Sequence, residues 1–257
     1  MKNKEIRSAV ILCGGKGTRL GTLGSKIPKS LVKINSVPIL YYIIKILVIY
    51  KFNHFILPIG YKGKIIRNYI KNNKYLKKLN IEIIDTGKNT NISKRIFKIK
   101  RNIISKNFLL LNGDAIFDFD ILRIFEKHLK SKSEMTFICC ESELAFGTVG
   151  VLNGKVKNFN RNINYNAVIQ KNKNSLISYV YSGMAIMNKN LLKGNFKNYD
   201  NFEKKLYPRI INKNKCNFEN IKGFWHSIDN VKDISALSNQ ENKNKYKLIL
   251  KIKRKIK

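Results

Sequence analysis

The feature that most constrains the fold is an alternation in the first half of the chain: short apolar runs separated by segments with a helical period. SAVILC, HFILPI, IEIID and NFLLLN are too short to be buried helices and lack the polar alternation of a strand with one wet face. They read as strands buried on both sides, the habit of parallel sheets. Between them, IIKILVIY after Val37-Pro38 and KIIRNYI after Gly63 carry apolar side chains at helical spacing. This succession predicts an α/β fold, a mostly parallel sheet with helices on both faces. The second half changes character. TFICCE, GTVGVL, KVKNF and YVYSGMAIM read as shorter strands of a mixed sheet extension, a small β addition to the main sheet, followed by a helix at FEKKLYPRIIN and strands at CNFENI and GFWHSI.

A chain of 257 residues with 44% hydrophobic content can fill one large core. One domain over residues 1–237 is expected, with a basic tail at 238–257. No apolar run approaches the roughly 18 residues of a transmembrane helix. The amino-terminal apolar stretch is too short and runs into glycines, unlike a secretory leader. A cytoplasmic protein without a transmembrane segment follows as the expectation. The tail, ENKNKYKLILKIKRKIK, suits solvent, or at most a weak contact with a membrane surface. A homo-oligomer is compatible with the sequence.

The formal net charge of +35 raises nucleic-acid binding as a possibility. Against it, lysine is dispersed along the whole chain with abundant Asn and Ile, as a bias toward A/T-rich codons would produce. No stripe interleaves basic with aromatic residues, so no specific nucleic-acid partner is expected. The same charge favours anionic substrates. Cys13, Cys139, Cys140 and Cys216 lack metal-ligand spacing and read as buried, reduced thiols.

The strongest local motif is ILCGGKGTRL, Ile11 to Leu20, directly after the first strand. Gly14, Gly15 and Gly17 let backbone N–H groups approach phosphate oxygens, and Lys16 and Arg19 add positive charge. The loop is not a Walker A motif, and Leu20 stands where the dinucleotide fingerprint needs a small residue. Lys29 follows Pro28, whose ring fixes the backbone that presents it. Asp114 follows the fourth strand in LLLNGDAIF, after Gly113, and Asp229 follows the strand in GFWHSIDN. Only 16 acidic residues are present, so two at strand ends stand out. With substrate phosphates they make a plausible Mg²⁺ site, because that ion keeps waters and needs few protein ligands.

In order and spacing, LCGGKGTRL, IPKSLVKINSVPIL, GYKG, LNGD, AFG, YSGM and GFWHSID resemble the sugar-1-phosphate nucleotidyltransferase family. DTGKNTNISKR looks most like glucose-1-phosphate cytidylyltransferases, and LNGDAIFDFDI like heptose-1-phosphate guanylyltransferases and uridylyltransferases. The resemblance implies a Rossmann-like sheet and an enzyme that joins a nucleoside triphosphate to a sugar 1-phosphate, with CTP and a hexose 1-phosphate preferred. Arg19, Lys29, Asp114 and Asp229 would be catalytic, the two aspartates holding magnesium. Leu12, Gly14, Gly15, Lys16, Gly17, Thr18, Thr86, Arg95 and Gly113 would bind the nucleotide. Gly147, Arg161, Tyr181, Ser182 and Gly183 would bind the sugar. Three departures bear on substrate identity: Ser93-Lys94 replace a usual Gly-Gly, Arg161-Asn162 replace a usual Glu-Lys, and Tyr181 replaces a frequent asparagine. They would also permit a non-catalytic nucleotide-sugar binder, against which the retention of Lys29, Asp114 and Asp229 together speaks.

Overall fold

A computed structural model describes residues 5–17, 20–140, 148–152, 155–160, 167–171, 174–194, 196–213 and 215–238. The expected strands and helices form. In chain order the first half runs β1 (Ser8–Leu12), α1 (Gly21–Lys26), β2 (Lys33–Ile34), β3 (Val37–Pro38), α2 (Ile39–Ile49), β4 (His54–Ile59), α3 (Gly63–Asn72), β5 (Ile81–Asp85), α4 (Ile92–Ile99) and β6 (Asn107–Asn112). There follow β7 (Ala115–Asp118), α5 (Ile121–Ser131), β8 (Met135–Cys140), β9 (Thr148–Leu152), β10 (Lys155–Asn160), β11 (Ala167–Lys171), β12 (Asn174–Ser178) and β13 (Val180–Asn188). The described chain closes with α6 (Phe202–Lys213), β14 (Cys216–Asn220), β15 (Phe224–Ser227) and α7 (Val231–Ser238).

A seven-stranded sheet has the order β14-β8-β13-β6-β1-β4-β5. β5, β4, β1 and β6 are mutually parallel, and β13 runs antiparallel to both its neighbours. β8 and β14 are parallel to one another, so the sheet is mixed but mostly parallel. β9 with β10 and β11 with β12 form separate antiparallel pairs; of the strands expected in a β extension only β9 and β10 lie there, whereas β8 and β13 are built into the main sheet beside β6.

The period of two along each strand distributes side chains to two cores. Ala9 and Ile11 join Leu57, Leu109 and Leu111 beneath α2, α3 and α5, whereas Val10 joins Ile56, Phe108 and Leu110 beneath α4 and α6. This is why β1, β4 and β6 read as nearly unbroken apolar runs; β5, expected to be buried, stands at the sheet edge half-buried and carries Glu82 and Asp85. α2 is apolar almost all round because it is nearly enclosed, with eight of its eleven residues buried. Among the described residues no helix is long and apolar enough to cross a membrane. Residues from 239 onward, the basic tail, lie outside the described residues.

One consequence of this order fixes where a ligand can sit. From β1 the chain moves outward on one side to β4 and β5, then crosses back to place β6 on the other side. The loops after β1 and β6 therefore diverge at the carboxyl edge of the sheet, leaving a crevice between them.

Candidate active site

A cavity of about 390 Å³ occupies that crevice. The loop after β1 contributes Leu12, Cys13, Gly14, Gly15 and Gly17, and the end of β6 contributes Asn112, Gly113 and Asp114. Lys29 and Ser30 close one side, and Thr90, Asn91, Ile92 and Arg95 another. Thr18, Arg19, Gly147 and Arg161 lie outside the described residues.

Lys29 is presented much as its sequence suggested. Ile27 is extended (φ −130°, ψ 151°) ahead of Pro28, and Lys29–Leu31 form a single 3₁₀ turn. The ammonium of Lys29 donates to Asp114 Oδ2 at 2.6 Å and to Asp229 Oδ1 at 2.9 Å. The two aspartates, distant in sequence, meet because β15 pairs antiparallel with β7, with Ser227 opposite Ala115. That register continues one residue further, where Ile228 N–H donates to Asp114 O at 2.9 Å. Asp229 is then held by its surroundings. Ser227 Oγ donates to its Oδ2 at 3.1 Å, and its backbone N–H donates to Asp233 Oδ2 at 2.6 Å.

Two carboxylates converging on one cation suit a magnesium ion. Among the described residues no group of three or more His, Cys, Asp or Glu side chains is arranged to hold a metal ion by itself.

Arg95 is the most heavily engaged side chain of the site. It is 4% exposed and belongs to α4, whose amino end is capped by the Asn91 side chain accepting from Lys94 N–H. Its Nη1 donates to Ile59 O at 3.0 Å and to Thr86 Oγ1 at 2.5 Å, and its Nη2 donates to Gly14 O at 2.7 Å. One guanidinium so ties together the loops after β1, β4 and β5. It also explains two glycines. A Cβ on Gly14 would lie 2.1 Å from Arg95 Nη1, and one on Gly60 2.4 Å from the same atom. Burial lowers the pKa of this arginine, opposed by the nearby Asp85.

The other expected residues divide. Leu12, Gly14, Gly15, Gly17, Arg95 and Gly113 line the cavity. Thr86 is fully buried beneath it, its hydroxyl donating to Ile59 O at 2.7 Å, and Lys16 is not among the lining residues. On β13, Ser182 is buried and its hydroxyl donates to Ile138 O at 2.6 Å. Gly183, at φ +74°, lets the strand pass Asn112, whose amide a Cβ there would meet at 2.4 Å. Tyr181 turns into the core instead. Its ring packs edge-on against Phe137 and Tyr207, and its hydroxyl shares a 2.9 Å hydrogen bond with Tyr207.

Sequence reasoning missed Cys13, Ser30, Thr90, Asn91, Ile92 and Asn112 as lining residues. Asn91, at the cap position before an amphipathic segment, carried a signal for a helix start but none for a pocket wall. Burial pushes the Cys13 thiol up to about 12, which favours its neutral form. His226 stands at 3.8 Å from Asp233 and its pKa is lowered, first by burial.

A glycine loop at a switch point, with a lysine joined to two carboxylates beside it, is the arrangement expected of an α/β protein of the phosphate-binding class. The chain belongs to the nucleotidyl transferase family, whose model matches residues 8–244. It is 32% identical over 180 residues to a probable glucose-1-phosphate cytidylyltransferase of Bacillus subtilis, covering 63% of this chain and 71% of that protein. It is 33% identical over 128 residues to a D-glycero-alpha-D-manno-heptose 1-phosphate guanylyltransferase of Aneurinibacillus thermoaerophilus, covering 50% and 55%. In fold it is similar to HddC from Yersinia pseudotuberculosis complexed with GMP-PN, with a TM-score of 0.66, 22% identity, and 91% and 98% coverage. The family and fold read from the motifs are borne out.

Proposed function

We propose that this chain is a magnesium-dependent sugar-1-phosphate nucleotidyltransferase that uses CTP and a hexose 1-phosphate and releases pyrophosphate. The observation that carries the proposal is that Lys29 and Asp114, which line the glycine-rich cavity, meet Asp229 through the Lys29 ammonium. A protein that only held a finished nucleotide sugar would have little use for this set.

A phosphate oxygen of the sugar 1-phosphate attacks the α-phosphorus in line. As that P–O bond forms, the bond to the bridging oxygen of the β-phosphate breaks, and its electron pair leaves with pyrophosphate. The nucleophile is already anionic and needs no general base, so the barrier is largely repulsion between two polyanions. Catalysis reduces to positioning and charge neutralisation. The N–H groups of the loop at Gly14, Gly15 and Gly17 would hold phosphate oxygens, with Thr18 and Arg19 continuing that surface. Lys29 would meet the charge that shifts at the α-phosphate. Magnesium, held by Asp114 and Asp229, supplies further neutralisation when bound. Ser182 and Gly183, with Gly147 and Arg161, would form the sugar side.

Cytosine is favoured by the segment from Asp85 to Arg95, which resembles that of cytidylyltransferases and whose Thr90, Asn91 and Ile92 line the cavity. An exocyclic amine needs an acceptor, which carbonyls and side-chain oxygens of such a loop can supply. An unpaired buried partner would cost the wrong base about 1–3 kcal/mol. The test is pyrophosphate release over a matrix of four nucleoside triphosphates and several sugar 1-phosphates. A GDP- or UDP-sugar as the main product would refute the cytidylyl assignment. Turnover with no pair at all would refute the enzyme.

A further inference from the structure

The ammonium of Lys29 lies between the two carboxylates that would hold the metal, in hydrogen-bond contact with both. A magnesium ion would take carboxylate oxygens at about 2.0–2.1 Å. It and the ammonium therefore exclude one another, by volume and by charge. Without some cation there, two carboxylates held together by the β7–β15 pairing would repel. Lys29 does that work in the free protein.

We propose that Lys29 is a displaceable internal cation that keeps free metal out of the aspartate pair and leaves it only when a nucleotide phosphate offers another anion. The proposal rests on the function assigned above. The lysine has somewhere to go. Its Cβ stands 3.4 Å from where a Cβ on Gly17 would be, so its stem lies against the glycine loop. A four-carbon flexible stem allows its head to move from the aspartates to a phosphate on that loop without backbone rearrangement. Metal and nucleotide then enter as coupled ligands: each strengthens the other, by the same factor, because each relieves the cost of moving Lys29. Metal without nucleotide must break both ion pairs unaided.

The experiment is Mn²⁺ binding to the full chain, followed by electron paramagnetic resonance of the free ion, with and without CTP. In the absence of nucleotide, Lys29→Met should bind Mn²⁺ roughly 10-fold more tightly than wild type, and CTP should improve its metal affinity less than it does in wild type. Lys29→Gln should behave alike and guards against a folding defect in one variant. Adding Asp114→Asn to Lys29→Met should abolish the gain. Lys16→Met removes the same charge from the neighbouring loop, and no contact of Lys16 with either aspartate exists among the described residues. An equal gain from Lys16→Met would reduce the effect to net charge and overturn the proposal. Equal Mn²⁺ affinity in wild type and both Lys29 variants would overturn it too. Turnover of wild type, measured alongside, separates the two ideas: an active enzyme with no lysine effect loses the displacement and keeps the function.

Discussion

Replacing Arg95 by methionine tests whether the three loops of the site are held by one buried guanidinium. Methionine keeps most of the stem and removes the donors. Of the three acceptors, Ile59 O stays satisfied, because Thr86 N–H and Thr86 Oγ1 also donate to it at 2.9 and 2.7 Å. Gly14 O retains only a long contact from Tyr61 N–H at 3.4 Å, and Thr86 Oγ1 loses the 2.5 Å bond. Two hydrogen bonds from a charged donor, at about 1.5–3 kcal/mol each, are thus lost without replacement. Against this, burying the guanidinium is itself costly, and methionine recovers that cost. A net destabilisation of about 2–4 kcal/mol remains. At about 2–4 °C per kcal/mol for a domain of this size, melting should fall by roughly 5–15 °C. Urea denaturation gives the free energy, and the KM for the nucleoside triphosphate should rise as the Gly14 loop loosens. A stability within about 0.5 kcal/mol of wild type would show that the guanidinium does not hold these loops.

Asp114→Asn and Asp229→Asn each remove an anionic ligand at constant side-chain volume, so turnover should drop about 10²-fold or more with the fold intact; a rate near wild type at limiting magnesium would remove that residue from the site. His128 is buried, with Nδ1 2.8 Å from Thr136 Oγ1, and burial pushes its pKa down to about 4. Its neutral form is favoured in the fold, so its contribution is present above the unfolded value near 6.5 and is lost as pH falls from there towards 4. Wild type should therefore lose about 2 kcal/mol more than His128→Gln between pH 7 and pH 5, read from denaturant midpoints, and parallel curves would contradict the assignment. Ser93 is fully buried and its hydroxyl has no hydrogen-bond partner among the described residues. Ser93→Ala should raise stability by about 1 kcal/mol, whereas a loss of stability would mean that the hydroxyl is satisfied in solution.

The amino-acid sequence by itself determined the layered architecture and the edge on which the site lies. Residues alternate between two cores along each strand, so Ala9, Val10 and Ile11 must all be apolar, and that pattern is local enough to be read directly. A glycine run after such a strand and an aspartate after another mark the carboxyl edge for the same reason: short loops leave their residues where the strand ends. The tertiary structure alone decided which distant residues meet. Asp229 reaches Asp114 through the register of β15 on β7, and a shift of one residue would turn it to the other face. Likewise, nothing near Arg95 in the chain shows that its donors go to Gly14 and Ile59. Tyr181 makes the converse point. Expected at the sugar on resemblance, its ring packs against Phe137 and Tyr207, on the face of β13 that also carries Ala185 and Met187. Periodicity is written within a segment, whereas register and side-chain partnership depend on two segments at once and appear only when the chain has closed on itself.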